Sequence, residues 1–413
     1  MAELLNPPAG GLSIAERFRA IERQRILAAV LLMAPLLVFL LFFFFAPLAG
    51  ILVQSAKAPE VPTILWRTAG ALEGWNPTEL PEEAVFGALV ADLRDAYAAK
   101  TVVDAAVRLN HEIPGMRQLV LKTARRAEKL DGDAPGEALM AVDARWGDIE
   151  TWHAIAAART PYTLRYLLSA LDLRTAWDGG IEPVPPDRRV HIRLFIQTLW
   201  ISSVVTLISL MAGYPLAFFM ATASARWGGL LLLLVLLPFW TSSLVRTTAW
   251  MVMLQNEGIL NSLLMAVGII SEPLEMIYNR FGVYVAMVYV MMPFMVLPLY
   301  SVMKTIRPDQ IRAAESLGAT PLSAFRSVYM PQTMPGVAAG CLLVFIQSLG
   351  FYVTPALMGG RKDQMISMVI ANYAMATANW NMAAALSVIL LVCVAAMYPL
   401  FSRFVGFGGL RMN

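Results

Sequence analysis

Apolar residues in this chain gather into six long runs, and one long charged stretch separates the first run from the rest. The runs lie between Arg25 and Lys57, Arg193 and Arg226, Arg226 and Arg246, Arg280 and Lys304, Arg326 and Arg361, and Asp363 and Arg403, with no charged residue inside any of them. A helix crosses a bilayer with about 20 mostly apolar residues. The pattern therefore predicts six membrane helices near 26–53, 194–222, 228–253, 281–303, 334–357 and 381–403. The runs are too long and too continuous for the alternating strands of a membrane barrel. Ala56-Lys57-Ala58 resembles a signal-peptidase site, but the apolar run before it far exceeds the ~7–15 residues of a signal h-region. It is expected to remain as a helix.

Composition agrees with that pattern. Of 413 residues, 58% are hydrophobic and 15% charged, against about 45–50% and about 25% in soluble domains. An ordinary soluble enzyme and a disordered chain are both excluded. The formal net charge of +3 offers no footprint for nucleic acid. Cys341 and Cys393 both fall in apolar runs, which argues against a disulfide framework.

Lys and Arg in short loops set orientation. Arg17, Arg19, Arg23 and Arg25 precede the first run, Arg226 follows the second, Lys304, Arg307, Arg312 and Arg326 follow the fourth, and Arg403 and Arg411 end the chain. With six spans all four segments share one side, so both termini are expected to be cytoplasmic. The chain then divides into a tail 1–25, a helix 26–54, an extracytoplasmic insertion 55–192, a membrane core 193–407 with a cytoplasmic loop 304–335, and a C-terminal segment 408–413.

Residues 57–190 carry 16 Lys/Arg and 20 Asp/Glu. Long loops cross regardless of charge. Spacing predicts helices over Ala91–Asn110, Gly115–Leu130, 137–158 and 162–173, with a turn cluster at Asp131–Gly136 and a stiff link at Pro183, Pro185 and Pro186. About 130 residues suffice for a small domain with its own core. A docking surface for an external partner and a plain spacer both fit it. His111 and His153 lack a metal-ligand spacing, and no metal site is expected.

Catalytic material is scarce. The chain has no phosphate-binding loop, nucleophile elbow, zinc-protease motif or C-x-x-C, so no catalytic residue is assigned. The informative segment is the loop Pro308-Asp309-Gln310-Ile311-Arg312-Ala313-Ala314-Glu315-Ser316-Leu317-Gly318-Ala319-Thr320-Pro321-Leu322. Pro308 and Asp309 suit a first helical turn, Gly318 a left-handed helix end, and Thr320-Pro321 a new N-cap and N1. The second helix is expected to reach Met330, where Pro331 stops or kinks it. The product is a helix–turn–helix elbow with a smooth face at Ala313, Ala314 and Gly318.

This loop resembles the EAA motif of ABC importer permeases. Ala313, Ala314 and Gly318 match it, and Val328, Met330 and Pro331 match its later part in register, while Arg312 stands where the motif has Glu and Glu315 follows the alanines. Four further segments look like spermidine/putrescine permeases: Leu237–Arg246, Asn256-Glu257-Gly258 with Leu260-Asn261, Met292–Tyr300, and Phe351–Gly360. The resemblance implies an all-α integral membrane protein with the type I (MetI-like) importer fold of six transmembrane helices, here carrying a helical insertion between helices 1 and 2. It implies a multi-pass inner-membrane permease subunit, not an enzyme. Its partners would be ATP-binding cassette subunits that use ATP and Mg, a second permease subunit, an extracytoplasmic solute-binding protein and the lipid bilayer. This chain itself would hold no cofactor. The elbow, including Arg312 and Glu315, would seat on the ATPase.

Polar residues at membrane depth are candidates for the solute path. Trp240, Thr241 and Ser242 follow Pro238, and Tyr352 and Thr354 sit at the end of the fifth run. Trp240 also fits an interfacial belt, and Arg246 a snorkelling end. Glu257 and Asp363 fit a cation-attracting mouth or ordinary solvated charges. Met287, Met291, Met292 and Met295 read as adaptable packing. Polyamine is the solute the resemblance favours, with opine, iron(III) and thiamine as alternatives. A membrane-anchored sensor or scaffold acting through 57–190 leaves the elbow unexplained, and a secondary transporter would need carboxylates in the membrane or an inverted repeat.

Overall fold

The computed structural model describes residues 14–130, 134–175 and 180–405. The first part of the expected tail (1–13), the Asp131–Asp133 part of the turn cluster and the C-terminal segment 408–413 with Arg411 lie outside the described residues. Two compact units emerge, Met1–Val53 and Gln54–Asn413. The described residues of the first are helical: Ile14–Leu40, a π turn Leu41–Phe45, and the start of Ala46–Ala56. Residues 14–25, expected as tail, are thus already helical.

In the second unit, His191–Thr222, Arg280–Thr305 and Met330–Gly350 pack together, and the last long helix, Trp380–Val405, packs against Met330–Gly350. Met287, Met291 and Met295 are buried at the centre of this core with Val205 and Val344. A Cβ on Gly213 would come within 2.9 Å of Met295 Cγ, and one on Gly340 within 2.8 Å of its Sδ. Two small residues therefore let the helices close around a flexible thioether, which is the packing role expected for the methionine stripe.

Two spans differ from expectation. The third is not continuous over 228–253: Ala225–Trp240 and Ser243–Ala266 meet at a break bent by 103°. Pro238 brings no N–H to the ladder, Thr241 is extended at φ −113°, and the Ser242 side chain accepts from the Val245 N–H at 3.2 Å to cap a new helix. The fifth helical span is Pro321–Gly350, not 334–357. A π turn at Phe325–Tyr329 widens the helix just before Pro331. The proline's missing N–H falls where the i−4 register is already interrupted, so Pro331 neither stops nor separates the elbow's second helix. After Gly350 a short helix, Val353–Met358, carries the rest of the expected span.

The insertion has a core of its own, drawn wholly from 61–158. Trp146 and Trp152 are its largest fully buried side chains, and their indole N–H groups donate to Thr123 Oγ1 and to the Trp146 carbonyl, each at 2.9 Å. The expected helix Ala91–Asn110 is two, Glu83–Ala98 and Val102–Asn110, parted at Lys100 with φ 61°. Residues 137–158 divide into Pro135–Val142, a 3-10 turn Ala144–Gly147 and Ile149–Ala157. The 162–173 segment forms only Arg165–Ala170 and then enters a hairpin, Leu173–Thr175 with Ile181–Pro183, that apolar spacing did not reveal.

The insertion and the elbow sit at opposite ends of the core. Tyr166 and Ala170 pack with Leu194 and Leu386 near the His191 end. Phe325 and Tyr329, beside the elbow, pack on Phe218 near Thr222.

Candidate functional site

The elbow forms as the sequence suggested. Pro308–Ser316 is a helix with Pro at its first positions and Asp309 in its first turn. Arg307 pairs with Asp309 at 3.2 Å, an exposed contact of little energetic weight. Gly318 ends the helix at φ 93°, with its N–H on the Glu315 carbonyl (2.9 Å) and the Ala319 N–H reaching back to Ala314 (3.1 Å). Thr320 caps the next helix through the Ser323 N–H at 3.3 Å, with Pro321 following.

Ile311 turns inward onto the membrane core, while Arg312, Ala313, Glu315 and Gly318 face outward and Ala314 is half-buried. Val328 is half-buried, and Met330 and Pro331 are exposed on the following helix. Motif matching overlooked the apex: Leu317 is 90% exposed and Leu322 60%. A leucine that open carries no packing role within this chain. Its signal in the sequence was a large apolar residue directly before the turn glycine.

An aromatic clamp that sequence reading also missed ties the elbow to the core. Phe218 meets Phe325 and Tyr329 edge-on at 5.7 and 5.3 Å, and Phe325 stacks on Tyr329 at 5.6 Å. Tyr214 adds an edge contact to Phe325 and a 3.1 Å hydrogen bond to Thr333. Edge-to-face and stacked aromatic pairs add about 0.5–1.5 kcal/mol each beyond the area they bury, so the elbow is fastened to His191–Thr222.

On the opposite side, Trp240, Thr241 and Ser242 occupy the break in the third span and are exposed, Trp240 at 79%. Arg246 lies one turn on, half-buried, with Nε and Nη1 enclosed and without an acceptor among the described residues. Glu257 is exposed. Tyr352 is partly open, whereas Thr354 is fully buried and bonds Thr247 at 2.9 Å. Thr354 thus fastens Val353–Met358 to Ser243–Leu254 instead of opening on a path. Asp363 is also withdrawn: it is 5% exposed and accepts from Arg280 Nε at 2.9 Å and the Gly360 N–H at 3.2 Å. Its charge is answered within the chain and does not wait for a passing cation.

The Asn256-Glu257-Gly258 segment has a structural task. A Cβ on Gly258 would lie 2.6 Å from the Met253 carbonyl, so only glycine fits the turn. Fully buried Asn261 donates to the Gln255 and Leu274 carbonyls (3.1 and 2.9 Å) and accepts from the Leu274 N–H (3.0 Å). Asn261→Leu leaves three backbone groups without partners and is expected to cost about 2 kcal/mol, read as earlier thermal unfolding of the detergent-solubilised chain. An unchanged transition would remove Asn261 from the list of residues holding this turn. Among the described residues no His/Cys/Asp/Glu group is placed to hold a metal ion.

Residues 193–405 match the family model described as binding-protein-dependent transport system inner membrane component. The spermidine/putrescine transport system permease protein PotB of Haemophilus influenzae is 38% identical over 214 residues, 51% of this chain and 75% of that protein. PotB of Escherichia coli is 35% identical over 214 residues, 52% of this chain and 78% of that protein. A crystal structure of a bacterial alginate ABC transporter with its alginate pentasaccharide-bound periplasmic protein matches 53% of this chain and 80% of its own at TM-score 0.44 and 18% identity.

Proposed function

The chain belongs to the binding-protein-dependent transport system inner membrane component family, as a permease subunit of an ABC importer, and from that premise we propose that its cargo is a polyamine such as spermidine or putrescine. The observation that carries the cargo reading is the likeness to spermidine/putrescine permeases, 38% and 35% identical over 214 residues.

Transport is divided among chains. This one is a transport subunit, not an enzyme. Separate cassette subunits bind and hydrolyse ATP with Mg, an extracytoplasmic protein delivers the solute, and a second permease closes the path. The Arg312–Gly318 elbow receives the ATPase, with Leu317 and Leu322 as its apolar contacts. Closure of the ATPases pushes the elbow, and the clamp of Phe218, Phe325 and Tyr329 transmits the push to His191–Thr222. Two access states then differ in the contacts the elbow makes, which shifts their populations. Trp240, Thr241 and Ser242 at the break are the solute-facing residues, because exposed polar groups at membrane depth need a wet surface. The placement of the elbow opposite the insertion supports an inner-membrane topology with both termini cytoplasmic.

The test is uptake into proteoliposomes holding this chain, its partner permease, its ATPase and its binding protein. Labelled spermidine or putrescine should enter only with ATP and binding protein. Uptake of an opine, iron(III) or thiamine with no polyamine uptake would replace the cargo, and the absence of any ATP-dependent uptake would overturn the assignment of roles to the elbow.

A further inference from the structure

A cavity of 330 Å³ lies at the seam between the insertion and the insertion-side end of the membrane core, and transport gives it no task. His111, Arg165 and Ser169 line it from the insertion, Tyr373 from the helix Ile366–Met375, Met382 from Trp380–Val405, and Thr377 and Asn379 from the connection between those helices. Its surroundings hold more positive charge than they answer. Glu112 is the one carboxylate that the ion pairs among the described residues bring here. It accepts from Arg108 at 2.5 Å and also pairs with Arg165, whose Nη2 donates to the His111 and Glu112 carbonyls, so two guanidinium groups share one acid. Arg108, 3% exposed, stands behind the Tyr166 ring at 5.5 Å, and its Nε and Nη2 have no acceptor among the described residues.

His111 borders the cavity beside these charges. Asn379 Oδ1 accepts from the Met382 N–H at 3.1 Å, so its amide N–H₂ is the group that faces His111 Nε2 at 3.4 Å. Nε2 therefore acts as acceptor, and the imidazole proton sits on Nδ1, which is closed to the cavity and has no partner among the described residues. Burial, followed by Arg108 and Arg165, pushes the His111 pKa below its ordinary value. Burial and Arg108 lower that of Arg165 to about 10. Both directions fit a pocket that repels further positive charge.

Two guanidinium groups sharing one carboxylate leave a surplus buried positive charge, which calls for an anion. We propose that the seam binds a small organic carboxylate, with its charge against Arg165 and its body against the Tyr166 ring and Met382. The apolar part of the lining favours an organic acid over bare phosphate, and the hydroxyls of Ser169 and Tyr373 complete the shell. The site lies where the insertion meets the core, so its occupancy is expected to tighten that junction.

The experiment is thermal unfolding and calorimetric titration of the full-length chain in nanodiscs, at fixed ionic strength and pH, with benzoate and with inorganic phosphate. Benzoate should bind saturably and raise the unfolding temperature, with phosphate weaker by roughly tenfold or more. Arg108→Met removes the surplus charge but leaves Glu112 paired with Arg165, and Ser169→Trp fills the cavity with the charges intact. Each should weaken benzoate by roughly tenfold, and the second keeps the test open if the first fails to fold. Absence of saturable benzoate binding, equal binding of phosphate, or undiminished benzoate binding in Ser169→Trp would each overturn the proposal.

Discussion

A chain carrying Leu317→Asp is expected to insert and fold like the parent but to lose its ATPase subunits on purification and to support no ATP-driven uptake. Leu317 is 90% exposed and packs on nothing in this chain, so folding has little to lose. Burying a leucine against a partner contributes about 1.5–3 kcal/mol, and enclosing a carboxylate in the same place costs several more. The combined change corresponds to a loss of affinity of at least about a hundredfold. Gly318 supplies the control. Its φ of 93° is left-handed, and the space a Cβ would enter is empty, so harm there comes from the backbone and not from a clash. Gly318→Val should disturb the turn, whereas Gly318→Asn, which tolerates that conformation, should retain most coupling. Full ATPase retention and uptake in Leu317→Asp would remove the apex from the interface. If Gly318→Asn proved as damaging as Gly318→Val, the turn geometry would not be the cause.

The elbow was legible because its information is local. Pro308, Asp309, Gly318, Thr320 and Pro321 each act on the adjacent turn, and the structure gives each the expected position. The six apolar runs were legible for the same reason, since a span is defined by its own length. What escaped was non-local. The 103° break in the third span depends on Pro238 and the Ser242 cap acting together within an unbroken apolar run. The aromatic clamp joins Phe218 to Phe325 and Tyr329, and residue spacing says nothing about partners a hundred positions apart. The neighbours of His111 were hidden for the same reason, since Arg165 lies 54 residues away and Asn379 lies 268 away. Thr354 and Asp363 stood out as polar residues near the membrane surface, but burial and pairing, not polarity, decided what they do.

Asp363 carries the second large effect, and its size depends on which partner is removed. Arg280 opens the helix Arg280–Thr305, where a cation meets the positive end of the helix dipole. It is held there by Asp363 at 2.9 Å and by the Lys362 carbonyl at 3.2 Å. Gln197 donates to that same Lys362 carbonyl at 2.5 Å and to Gln364 at 3.0 Å, so His191–Thr222 joins the clasp. The two side chains are unequally exposed, 44% for Arg280 and 7% for Asp363. Asp363→Ala frees an arginine that can turn into water, and the expected cost is about 1–2 kcal/mol. Arg280→Met strands a buried carboxylate, for which about 3–5 kcal/mol is the usual penalty. Because the membrane core packs against this clasp, Arg280→Met should unfold earliest in detergent and accumulate least in the membrane. The double variant Arg280→Met/Asp363→Ala should recover much of the loss, since no buried charge is left behind. If instead the two single variants were equally destabilised, Asp363 would be solvated in the folded chain, and its expected role as a cation-attracting carboxylate at the mouth would return to consideration.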